Sequence, residues 1–230
     1  MVLATKTSRI CRDAMSSTDL DCAANEAALQ AHKQHLQELR PGLHLHADAS
    51  SETQYLNARS EVAAGLRIIV LLEGALDLSY GERHVQLVGT AAAPCACLVS
   101  VAQAEHFTRR LRPGVYSRRV NLGLDHRWVE QLCASQQGAA RTLDTFRRQH
   151  LSVFRWQLCA RSVALAEQIV KPPAMEPLLQ SLYMESRSLE LVSDAISTLH
   201  AHTQGLPDEA TGQIPMRPRA FQRMREFHAF

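Results

Sequence analysis

The chain has few aromatic side chains: two Trp, four Tyr and six Phe in 230 residues, or 5%. It also lacks any run of about 18 uncharged apolar residues, the length a helical membrane span requires. "IIVLLEGALDL" is the most apolar passage, and it is short and carries Glu73 and Asp77. Charge of one sign is missing too. Twenty-five Lys and Arg against 23 Asp and Glu give +2 at neutral pH, too little to predict nucleic-acid binding by the body of the chain. The opening "MVLATKTSRICRDAMSSTDLDCAANEAAL" has no sustained apolar core of a secretory signal, so a cytoplasmic location is expected. The six cysteines, Cys11, Cys22, Cys95, Cys97, Cys133 and Cys159, show no Cys-x-x-Cys spacing, which reads as free thiols rather than a zinc or redox site. No nucleophile elbow, phosphate loop or dinucleotide fingerprint occurs, and no repeat is visible.

What is present is a change of texture along the chain. Residues 1–40 read as a loose leader and a short helix, "ANEAALQAHKQHLQEL", stopped by "RPG". Residues 41–124 break into short strand-like runs divided by turn signals: "LHLH", "LRIIVLLEGALDLSY" (a buried run, a glycine, then a second, alternating run Leu76, Leu78, Tyr80), "HVQLV", "CACLVSV", "HFTRRL" and "VYSRRVNLGL". That spacing predicts a small antiparallel, cupin-like β barrel, and with the helices that follow it an α+β chain. Residues 125–204 turn helical. Asp125 is placed to cap "HRWVEQLCASQQ", "SVFRWQLCARSVALAEQIVK" runs to Pro172-Pro173, and a long helix extends from about residue 174 to 204. Apolar residues on the long helix, among them Leu182, Leu189, Val192 and Ile196, recur at three- and four-residue steps and form a candidate dimerisation stripe. Glu185 and Glu190 on the same helix read as partners for arginines such as Arg187. Residues 205–217 form a Gly/Pro-marked linker, and residues 218–230 a basic, aromatic helix.

Candidate chemistry is sparse. His44 and His46 alternate onto one strand face, and with Glu52, His84 and His106 they invite comparison with a cupin metal site. Glu52 falls late and the accompanying glycines are missing, so no metal is expected. In "VYSRRVNLGL" strict alternation puts Tyr116 and Arg118 on the face of Val120, Leu122 and Leu124, with Arg119 and Asn121 on the other. Arg67 interrupts an apolar strand start. An arginine and a tyrosine at a barrel mouth suit an anionic, aromatic ligand. Arg67, Tyr116 and Arg118, with His44, His46 and Trp128, are therefore the candidate effector-binding residues.

The passages "PGLHLHA", "LRIIVLLEGALDLSYGERHVQL", "RRLRPGVYSRRVNLGL", "LAEQIVKPPAMEPLLQSLYMESRSLELVSDAI" and "MRPRAFQRMREFHAF" carry a resemblance. In this order they resemble the AraC/XylS family of transcription regulators, in the branch similar to the pyochelin regulator. The resemblance implies a sensory barrel with a helical dimerisation region, a homodimer, and no intrinsic cofactor. It further implies a ferric siderophore as effector, iron-uptake genes as targets, and a helix-turn-helix domain for promoter DNA that starts where the chain stops. Two other readings remain: a cupin-like metalloenzyme on a small organic substrate, or a dimerisation module without ligand.

Overall fold

The computed structural model describes residues 36–53 and 55–205. Among them, nine strands and four helices follow one another. The strands are β1 (Gln37–Arg40), β2 (Leu43–Ser51), β3 (Leu56–Val62), β4 (Gly65–Tyr80), β5 (Arg83–Gly89), β6 (Cys95–Val101), β7 (Glu105–Leu111) and β8 (Tyr116–Asp125). Then come α1 (His126–Leu132), α2 (Gly138–Arg148), β9 (Val153–Gln157), α3 (Ala160–Val170) and α4 (Pro177–Thr203). None of these helices is long and apolar enough to cross a membrane.

Every strand pairing is antiparallel, and β4 organises them. Its 16 residues are buried on both faces over most of their length, as a central strand requires. The first half of β4 lies between β8 and β6, within the path β1-β2-β8-β4-β6-β9. The second half lies between β5 and β7, and β7 carries β3. Between Leu71 and Glu73 the register slips by a bulge, so the inward-facing residues change from odd to even numbers. Ile69 and Leu71 thus share a core with Leu76, Leu78 and Tyr80. Gly74 makes the bulge possible: its φ is +102°, and a Cβ there would lie 2.0 Å from the Tyr116 carbonyl oxygen.

The expected closed barrel is corrected to an open sheet. A barrel needs its outermost strands to pair with each other. Here the sheet branches at β4 instead, and β1, β9, β3 and β5 each end a branch. Two cores result. One fills the concave interior with Val85, Leu87, Cys97, Val99 and Val101 beside the β4 residues. The other lies between the opposite face of the sheet, with Leu66, Ile68, Val70, Leu122 and Leu124, and the helices.

Three further expectations need correction. Residues 37–39 of the proposed first helix belong to β1, because their backbone pairs with β2 (Gln37↔Leu45, Glu38↔His44). Val153–Gln157, expected as helix, is a strand that extends the sheet along β6, and the helix begins only at Ala160. There the Cys159 thiol caps it by accepting from the Ser162 amide at 3.4 Å. "LRIIVLLEGALDLSY" is one bulged strand rather than two runs. Asp125 does stand at the N-cap of α1, though its side chain makes no capping bond. Helix α3 stops ahead of Pro172-Pro173 as expected.

Helix α4 starts on Glu176, whose carboxylate accepts from the amides of Leu178 (3.0 Å) and Leu179 (3.3 Å), with Pro177 at the first helical position. It is tied to α3 by Ser162 to Asp194 at 3.1 Å and Arg161 to Glu190 at 3.0 Å. Arg187 also pairs with Glu190, as read from the sequence. The remaining leader, including Cys11 and Cys22, the linker from residue 206 and the basic segment 218–230 lie outside the described residues.

Candidate functional site

Cross-strand partners share a face, so the register fixes what faces the concave interior. Three rows cross β2, β8 and β4: His44–Gly123–Arg67, His46–Asn121–Ile69 and Asp48–Arg119–Leu71. On β6 the same rows continue with Val99, Cys97 and Cys95. One wall of the interior, from β2 and β8, is therefore polar, and the adjoining one, from β4, β5 and β6, is apolar apart from Arg67.

The polar wall ends in a cluster of four charges. Arg119 is only 2% exposed; its guanidinium donates to the Ser117 hydroxyl and, at 3.0 Å, to Asp48 Oδ2. Arg109 of β7 donates to Glu52 Oε1. Burial, with the positive charge of Arg109 adding to it, brings the Arg119 guanidinium down to about 10, against the pull of Asp48 and Glu52. Burial lowers Arg109 as well, opposed by Glu52 and Asp48. Asp48 sits below the usual carboxylate range: burial pushes it up, but the Ser50 hydroxyl, Arg119 and His46 outweigh that. Both arginines thus remain cations at neutral pH. Water reaches the cluster at Asp48 (31% exposed) and at the Arg109–Glu52 pair (20% and 18%), but not at Arg119.

The six candidate residues divide between the two faces. His44, His46 and Arg67 belong to the concave rows. His44 lies 3.4 Å from Asp125, and His46 is buried beside Asp48. Arg67 folds back on the β3–β4 connection, donating to the carbonyls of Leu66 at 2.9 Å and Ala63 at 2.7 Å. Tyr116, Arg118 and Trp128 are on the helix side. Arg118 pairs with Glu167 of α3 at 2.8 Å. Trp128 packs into the helix-side core with the Arg40 guanidinium 5.9 Å from its ring centre. Tyr116, 38% exposed, lines an open cleft of about 450 Å³ at the β4 bulge with Glu73, Ala75, Val88 and Thr90.

The residues considered for a metal site separate as well. Glu52 takes Arg109, and His84 bonds Asp77 at 2.7 Å. Among the described residues no three of His, Cys, Asp and Glu stand close enough together to hold a metal ion. Cys97 is buried, which pushes its thiol up to about 12.

Arg119, Arg109 and Asp48 were not candidates from sequence. Alternation had set Arg119 apart from the apolar face, and that face is the one the helices cover. The available signal was "CACLVSV", apolar at both parities, which means that both faces of this sheet are buried.

No curated protein matches the chain. Among solved structures it is similar to ToxT from Vibrio cholerae in an apo form (10% identity, TM-score 0.40, covering 83% of this chain and 77% of that one). ToxT with an unsaturated fatty acid bound gives 12% identity and TM-score 0.40, over 75% and 59% of the two chains. The AraC-like transcriptional activator CuxR gives 11% and 0.34, over 85% and 79%. Residues 30–210 match the family described as the regulatory protein PchR N-terminal domain. The chain belongs to that family.

Proposed function

We propose that this chain is the effector-sensing and dimerisation region of an AraC-type regulator that answers to a ferric siderophore. In the longer protein it controls iron-uptake genes through promoter DNA. The observation that carries this reading is Arg119: a cation 2% exposed, beside an apolar wall and paired with a carboxylate that is 31% exposed. That pairing of walls suits a ligand with anionic oxygens and an apolar or aromatic body. A chelate brings its own iron, so the protein needs to recognise only the chelate's periphery.

Occupancy has a route to the helices along β8. Arg119 reaches into the concave interior, and its neighbour Arg118 reaches α3 through Glu167. Helix α3 is in turn bonded to α4. A ligand that favours one position of β8 shifts the population of helix arrangements by its difference in affinity for the two.

Self-association uses the start of α4. Leu178, Leu179 and Leu182 are 65%, 56% and 57% exposed there. Val192 is buried, and Leu189 and Ile196 pack on the same core, so of the four stripe residues Leu182 is the one open to a partner.

Titration with a panel of ferric siderophores, followed by calorimetry and by the fluorescence of Trp128 and Trp156, tests the reading. Arg119→Gln is expected to weaken binding by about 10- to 100-fold, the worth of one or two charged hydrogen bonds. Unchanged affinity in a folded Arg119→Gln protein would remove the concave face from the effector site.

A further inference from the structure

The arginines of the concave cluster are already neutralised. Arg119 has Asp48 and Arg109 has Glu52, so two cations face two carboxylates in a partly buried space. An anionic ligand added to this set would meet two negative charges at low dielectric. An anionic ligand exchanged for one of them keeps the balance.

The two carboxylates are not equally held: Asp48 accepts from both Ser50 and Arg119, Glu52 from Arg109. Asp48 is in the middle of β2, its backbone fixed opposite Arg119 of β8. Glu52 lies just beyond the end of β2. Its backbone is held by two bonds to the β7–β8 turn: its amide donates to the Val115 carbonyl at 3.0 Å, and its carbonyl accepts from Gly114 at 2.9 Å.

We propose that Glu52 is a built-in substitute for the effector's anionic group, holding Arg109 in the unliganded protein and exchanged for the ligand on binding. This rests on the reading of the concave face as the effector site. Glu52 is also bonded through its backbone to the turn that begins β8, so the exchange takes place next to the strand that reaches α3. The exchange makes affinity self-limited: a ligand binds only if its anion outcompetes the tethered carboxylate, which selects for ligands with strong anionic donors over neutral ones of the same shape.

The test uses benzoate as a small aromatic anion and benzamide as its neutral isostere, titrated into the parent chain and into Glu52→Gln. The variant keeps the shape of a partly exposed side chain, and a thermal melt verifies its fold. Benzoate is expected to bind Glu52→Gln at least tenfold more tightly than the parent, with benzamide unchanged, and Arg109→Gln in the Glu52→Gln background is expected to abolish the gain. Equal or weaker benzoate binding by Glu52→Gln overturns the proposal, as does an equal gain for benzamide. The siderophore panel separates this from the functional reading: a benzoate gain without any siderophore response supports the exchange and removes the siderophore, whereas a siderophore response indifferent to Glu52→Gln does the reverse.

Discussion

Arg118 and Arg119 are consecutive on β8 and serve opposite faces of one sheet. Arg119 is 3.0 Å from Asp48 on the concave side, and Arg118 is 2.8 Å from Glu167 on the helix side. A shift of the strand that moves one guanidinium moves the other, because successive side chains are fixed to opposite faces by the pleat.

Arg118→Met is therefore expected to separate binding from response. The pair is partly exposed, so its loss should cost no more than about 1 kcal/mol in urea unfolding. Effector affinity by calorimetry should stay within about threefold of the parent, an estimate from the loss of one such pair. The tryptophan fluorescence change should fall by at least half. A full-sized response in this variant would take the relay away from Arg118 and Glu167.

Positions on α4 should divide by the side they face. Leu182→Glu, at an exposed position, is expected to reduce self-association in sedimentation while leaving unfolding free energy within about 0.5 kcal/mol. Val192→Ala, at 3% exposure, should leave association alone and lower stability by about 1–3 kcal/mol. Equal sedimentation of the parent and Leu182→Glu would remove the start of α4 as an interface.

The sequence carried parity but not sidedness. Alternation correctly grouped Tyr116 and Arg118 with Val120, Leu122 and Leu124. It could not say which face was the interior, because helices bury one face of β8 and the folded sheet buries the other. Six strand runs and the ends of α3 and α4 were legible, since turns, prolines and caps are local signals. Val153–Gln157 was not: its three apolar residues fit a helix as well as a strand, and pairing with β6 decides. The charge cluster was hidden for the same reason. Asp48, Arg109 and Arg119 meet only through strand register.

Gly74→Ala should show the cost of filling the bulge. The residue would have to keep φ at +102° with its Cβ against the Tyr116 carbonyl. We expect a loss of more than about 2 kcal/mol in unfolding free energy, from backbone strain alone. A variant as stable as the parent would mean that β4 and β8 can separate there without penalty.

Acid should destabilise the fold through its paired carboxylates. Arg148 and Arg147 lower Asp144 despite some opposition from burial, and His84 and Arg110 lower Asp77, where burial is the larger opposing effect. A depressed carboxylate stabilises the folded state fully above its unfolded value near 3.8, and this is lost as pH falls through the folded value. Urea midpoints are therefore expected to be flat from neutral pH to about 5 on the part of these groups, then to drop below about 4. Asp144→Asn should make that drop shallower, and an unaltered acid limb would show that its pairing carries no stability.

Because β4 is the middle of both strand sets, there is no seam along which the sheet could be divided. A chain severed at the bulge would leave each piece with half a strand and no centre. The same continuity joins the far end of the sheet, by one unbroken backbone, to the half of β4 on which the helices pack.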